Sequence, residues 1–234
     1  ESLRYVWLKV EKEFEELGWP KHEIEIEKQK IAIKNIRGID KDYFLSKVAK
    51  AYMALLGDGR GGVFCENSLE NPNHWSKKTR DEVKMEYFDI VLTNPPFGSK
   101  IPVKGDEILK QYDLGHSFKL DKKTDKYVKG KLQQKETPQI LFIERCLQFL
   151  KPNGKLAIVL PDGILGNDSL IYLREWLLNR AQILAAIDVP IETFMPYTST
   201  KTSILILRKL EHDEVLEDYK IFMCICETCG HNRR

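Results

Sequence analysis

Short apolar runs alternate with one-sided helical stripes along most of this chain, and that alternation constrains the fold more than any other feature. Residues 36–39, 63–65, 87–92, 155–160 and 183–189 read as strands. Between them Phe44, Val48, Ala51 and Leu55 recur at helical spacing, as do residues 140–150 and 170–178. An opening helix carries Leu3, Trp7, Val10, Phe14 and Leu17 on one face and ends near Gly18-Trp19-Pro20. Strands separated by helices pair in parallel, with helices on both faces of the sheet. Two last β-rich runs, 202–207 and 219–226, are joined by a short acidic turn that suits an antiparallel hairpin. The expected fold is therefore α/β, a doubly wound mixed sheet.

The 234 residues are enough for one large domain with its own core. Lys and Arg number 37 against 35 Asp and Glu, so a net charge of +2 excludes a uniformly polycationic protein. No apolar stretch reaches a membrane span of roughly 18 residues, and the N-terminus lacks a signal pattern. We expect a cytoplasmic protein with no membrane partner. The five cysteines, at 65, 146, 224, 226 and 229, form no spaced disulfide framework and are expected to be reduced thiols. The chain opens on Glu1 inside a helical pattern and stops at Arg233-Arg234 directly after a strand-like run, which suggests a piece of something longer.

Residues 99–137 lack sustained periodicity and are too long for an ordinary connection. Between 100 and 135 ten lysines face five acids, a local charge of +5. A solvated surface loop and a nucleic-acid contact both account for that composition, and its position beside a Pro-Pro turn favours contact with phosphates.

Ligands of open α/β sheets lie outside the carboxyl ends of the strands, where Asp40, Asn67 and Asn94 fall. The strand 87–92 is stopped by Asn94-Pro95-Pro96-Phe97, a tetrad expected by chance in roughly one chain per thousand of this length. Asn and Pro there can simply end a strand. They also suit a planar amine, whose lone pair is delocalised and needs polarising. The Asn94 side-chain oxygen and the Pro95 carbonyl can each accept one amine hydrogen. Proline fixes φ and offers no competing donor, so that carbonyl is held rigidly; Pro96 shapes the turn. Phe97 offers a stacking face to a base taken out of its helix. Asp40 can accept both hydroxyls of a ribose or cap the following helix. Asn67 can contact an adenine ring or form a plain Asn turn.

Other features carry less. Gly57, Gly59, Gly61 and Gly62 precede a strand and lack a Lys-Ser/Thr ending, so they are a turn and not a phosphate loop. Cys224, Cys226, Cys229 and His231 invite a zinc assignment. Cys224 and Cys226, however, alternate within a β-run and share a face with Phe222, which suits small packed hydrophobes, and no metal is expected. His22, His74, His116 and His212 show no ligand spacing.

Arg37-Gly38-Ile39-Asp40, Glu66-Asn67-Ser68-Leu69, Thr93-Asn94-Pro95-Pro96-Phe97-Gly98, Gly154 to Gly163, Phe194-Met195-Pro196-Tyr197-Thr198 and Lys201-Thr202-Ser203-Ile204-Leu205 stand in this order. With these motifs the chain resembles the methyltransferase (modification) subunit of type I restriction-modification systems, over nearly all its length. The resemblance implies the Rossmann-like class I fold, with residues 1–234 as the C-terminal major part of one catalytic domain, and S-adenosylmethionine as methyl donor. It implies methyl transfer to adenine N6 in duplex DNA, with Asn94, Pro95, Pro96 and Phe97 on the target base. Asp40 with Lys41, and Asn67 with Ser68, would bind the donor. It further implies a specificity subunit and a restriction subunit as partners. Similar proteins usually carry Asp where this chain has Asn67. Their first motif, a Gly-rich turn after a central first strand, is absent; it should end just before Glu1, between the strands at 36–39 and 88–92. We therefore expect the native protein to continue upstream and this chain alone to bind the donor poorly. Two other functions are compatible: methylation of a protein glutamine, whose enzymes more typically have Tyr after the prolines, and a non-catalytic scaffold docking a specificity subunit.

Overall fold

The computed structural model describes residues 2–57, 62–98 and 101–230. Residues 58–61 of the glycine turn, and His231, lie outside the described residues. The chain forms two compact units, Glu1–Val83 and Lys84–Arg234.

The first unit opens on helix α1 (Ser2–Glu16), as its stripe predicts. Helix α2 (Lys21–Asn35) was not expected: Ile24 and Ala32 are buried on it, but its remaining apolar residues scatter round the helix. The two helices are tied by the Trp7 indole N–H, which donates to the Lys28 carbonyl at 2.9 Å. Strand β1 (Gly38–Asp40), helix α3 (Tyr43–Leu56) and strand β2 (Val63–Cys65) follow, with Asp40 aligned on Cys65 in a parallel pair. A short turn and helix α4 (Lys77–Glu82) complete the unit. Gly62 is needed where it stands, because a Cβ there would sit 2.2 Å from the Ile36 carbonyl oxygen. The stripe of α3 departs from expectation: Phe44 is 71% and Leu55 86% exposed, while Ser46 is the buried residue of the helix.

In the second unit, strand β3 (Phe88–Thr93) leads to the tetrad. Residues expected to be irregular contain β4 (Val103–Lys104), α5 (Asp106–Leu109), β5 (His116–Asp121), β6 (Lys126–Leu132) and β7 (Lys135–Glu136). Strand β4 pairs with β7, and β5 with β6 as an antiparallel hairpin. Next come α6 (Pro138–Phe149), β8 (Leu150–Pro161), α7 (Asp162–Gly166), α8 (Ile171–Leu178), β9 (Ala181–Val189), β10 (Thr202–Lys209) and β11 (Phe222–Ile225). At Pro152-Asn153-Gly154 strand β8 is irregular, and its register with β3 shifts there.

Five of these strands form one sheet in the order β11-β9-β10-β8-β3. The expected hairpin of the last two strands does not form. Strand β10 runs antiparallel between β8 and β9, leaving no free edge, and β11 pairs in parallel with β9. On that outer edge Phe222 is exposed and Cys224 and Cys226 are only half-buried, so they pack less than expected. Ile140, Ile143 and Leu147 of α6, Leu173 and Trp176 of α8, and Leu156, Ile158, Leu160, Leu205 and Leu207 of the sheet form one core. Among the described residues the far edge of β3 is unpaired, with Ile90 62% and Leu92 59% exposed.

Candidate active site

In the first unit the carboxyl ends of β1 and β2 bring Asp40 alongside Cys65, and the Glu66 amide donates to the Asp40 carbonyl at 3.1 Å. Asp40 is exposed and its Oδ1 accepts the Asp42 amide at 2.8 Å. The cap of α3 is Asp42, whose Oδ1 accepts the Leu45 amide at 2.8 Å. Of the two roles open to Asp40, helix capping is thus taken by its neighbour. Lys41 is exposed, and Ser68 half-buried.

Asn67 makes the Asn turn considered above: its Oδ1 accepts the Leu69 amide at 3.1 Å, and its carbonyl accepts the Trp75 indole N–H at 3.0 Å. An amide oxygen has two lone pairs, so the turn leaves acceptor capacity. Glu66, which the spacing did not single out, braces this loop. Its Oε1 accepts the Ser76 amide at 2.9 Å and the buried Thr79 hydroxyl at 3.0 Å. A carboxylate and an amide side by side at two strand ends suit a nucleoside, the acid for vicinal hydroxyls and the amide for the base edge.

In the second unit β3 ends at Thr93, after which Asn94 is exposed, Pro95 buried, Pro96 exposed and Phe97 half-buried. The Asn94 carboxamide has no partner among the described residues. Gly98 lies at φ 105°, where a side chain would be strained. The tetrad forms one side of a cleft of about 330 Å³. Thr193, Phe194, Met195, Tyr197 and Thr198, from the connection between β9 and β10, form the other. Phe97 and Phe194 meet at 5.3 Å with their planes 89° apart, an edge-to-face pair. Tyr197 is 96% exposed, and the Thr193 hydroxyl is buried without a partner among the described residues.

The four tetrad residues line one wall because they are consecutive. The sequence pattern assigned no role to Thr193 or Phe194, which lie about a hundred positions away. The one signal was the order of motifs, in which Phe194 to Thr198 precedes a β-run. The opposite wall is held by Lys201, whose Nζ donates to the Val189 carbonyl at 3.1 Å and pairs with Asp188 at 2.6 Å.

Residues 19–228 match the family model described as N-6 DNA Methylase. The chain is 30% identical over 125 residues to the type I restriction enzyme EcoEI methylase subunit of Escherichia coli, covering 53% of this chain and 21% of that protein. Among solved structures, it matches a Listeria monocytogenes protein assigned to the class I S-adenosylmethionine-dependent methyltransferases. That match has a TM-score of 0.59 and 20% identity, over 84% of this chain and 51% of the other. The M protein of the type I restriction enzyme EcoKI matches with a TM-score of 0.53 and 21% identity, over 78% and 33%. The chain thus spans about a fifth to a half of the length of these relatives, and the solved structures share its class I methyltransferase fold. With the family model covering most of the chain, the protein belongs to the N-6 DNA methylase family.

Proposed function

We propose that this chain forms the catalytic part of a DNA adenine-N6 methyltransferase, the modification component of a type I restriction-modification system, with residues 1–234 belonging to one catalytic domain. The observation that carries this reading is the turn after β3. Asn94, whose carboxamide has no partner among the described residues, and buried Pro95 line an aromatic-walled cleft. Asn94 and Pro95 accept the two hydrogens of the target amine and draw its nitrogen toward tetrahedral geometry, which frees the lone pair. Burial of Pro95 holds that acceptor still, so little reorganisation is needed as charge develops. Phe97, braced edge-on by Phe194, stacks on the extruded base, and Pro96 keeps the turn tight.

S-adenosylmethionine supplies an electrophilic methyl group when bound. Asp40 with Lys41, and Asn67 with Ser68, hold its nucleoside part. Duplex DNA is the substrate. Sequence choice falls to a separate specificity subunit, as the resemblance to type I modification subunits implies. A restriction subunit completes the assembly.

Transfer of labelled methyl from S-adenosylmethionine to duplex DNA, run beside a glutamine-bearing protein substrate, tests this assignment. DNA is labelled at adenine, and Asn94→Ala lowers the rate by about a hundredfold or more, as loss of one preorganised partner does elsewhere. Label on the protein alone would replace the DNA assignment with the glutamine one.

A further inference from the structure

The hairpin of β5 and β6 is built asymmetrically. Directly opposed residues share a face, so Phe118 with Lys129 and Leu120 with Tyr127 form one face, and Lys119 with Val128 and Asp121 with Lys126 form the other. The first face is anchored. Phe118 stacks on Tyr172 of α8 at 5.0 Å, the Tyr127 amide donates to Glu175 at 3.3 Å, and Lys129 pairs with Asp113 at 2.7 Å. The second face and the turn carry Lys119, Lys122, Lys123 and Lys126, all exposed. Among the described residues no carboxylate pairs with any of these four ammonium groups.

Of the hairpin's two acids, Asp121 is already occupied by the turn. Asp121 Oδ1 accepts the Lys123 amide at 2.9 Å and Oδ2 accepts the Thr124 hydroxyl at 3.0 Å, so both oxygens serve the turn. Six lysines and two aspartates between 116 and 132 give a net +4, against +2 for the whole chain. Lys129 on the anchored face is neutralised by Asp113, whereas the four lysines of the free face and turn are left for something else. A merely solvated ribbon gains nothing from that arrangement, which self-repulsion penalises.

We propose that the free face of this hairpin is a second, sequence-independent contact to the phosphate backbone of the duplex, apart from the base-gripping cleft. The proposal rests on DNA being the substrate. Lysines are point charges without fixed hydrogen-bond geometry, so they anchor phosphates and read no bases.

The test is duplex binding by the intact protein, followed by fluorescence anisotropy across a series from about 50 to 200 mM salt. The variant carries Lys119→Ala, Lys122→Ala, Lys123→Ala and Lys126→Ala. Each lost phosphate contact lowers the slope of log K against log salt by about 0.9, so the slope falls by roughly 3 to 4 and low-salt affinity by about tenfold or more. KM for DNA rises while kcat at saturating DNA is unchanged, and arginine at the four positions restores binding. If the quadruple variant melts early, Lys122→Gln with Lys123→Gln at the turn gives about half the slope change. A folded variant with the wild-type slope overturns the hairpin contact and leaves the methyltransferase assignment standing. So does a variant that loses affinity for poly-glutamate but keeps its DNA slope, which marks an acidic protein as the partner. Wild-type protein that neither binds nor methylates duplex DNA overturns both.

Discussion

Asp40 and Asp42 are chemically identical and two residues apart, yet the fold gives them different work. Asp42 satisfies an otherwise orphaned amide at the start of α3, and Asp40 stands exposed at the end of β1. Asp42→Ala is expected to cost about 1 kcal/mol of stability, as loss of a helix cap does, and to leave donor affinity in the intact protein almost unchanged. Asp40→Ala should do the reverse, with little change in melting temperature but much weaker S-adenosylmethionine binding by calorimetry. Equal effects of the two substitutions would remove the ribose assignment. Asn67 is a similar case, because the oxygen that makes its turn is also the one proposed to meet the donor's base.

At the scale of elements, the segment at 101–137 is tied to α6 by two charged residues of that helix, Glu144 and Arg145, both buried. Glu144 is buried and accepts the amides of Asp113 and Leu114, both at 2.8 Å. Burial raises its pKa, against the pull of those two amides. Arg145 is buried too; its Nε donates to the Tyr112 hydroxyl at 2.8 Å and an Nη to Gln111 at 3.0 Å. Glu144→Ala leaves two amides without their acceptor and should cost about 1–3 kcal/mol in urea denaturation.

Asp113, at the base of the hairpin, titrates in the opposite sense. Burial would raise its pKa, but bonds from Lys129 and Trp176 and the charges of Lys129 and Arg180 hold it below the ordinary value of 3.8. A depressed folded pKa contributes stability above the unfolded pKa and loses it as pH falls through the folded one. The gap in melting temperature between wild type and Asp113→Asn should therefore be full near neutrality and close as pH drops below about 4. A gap that widens in acid would show that the ion pairs do not hold this carboxylate.

At the scale of the molecule, each unit presents incomplete β structure. Strand β3 is the last of its sheet with Ile90 and Leu92 exposed, and β1 pairs only with β2 among the described residues. Open edges of this kind are a pairing liability. These open edges lead us to predict that these 234 residues alone bind S-adenosylmethionine poorly. Micromolar binding in a calorimetric titration of the bare chain would contradict this.

Local pattern was enough for what depends on neighbours in sequence. The alternation of strands and helices, the abrupt end of β3 and the consecutive tetrad are all set by propensity, by proline's fixed φ and by missing donors. The order of the motifs added the family. Helix α2 escaped because its apolar residues make no single stripe, and the hairpin because its lysines and its anchoring aromatics blur a period of two. Three matters were decided only in three dimensions. They are the place of β10 between β8 and β9, the inward turn of Glu144 and Arg145, and the meeting of Phe97 with Phe194 across the cleft. Each is a contact between residues distant in the chain. Its energy depends on which groups are desolvated together, and one-dimensional spacing does not encode that.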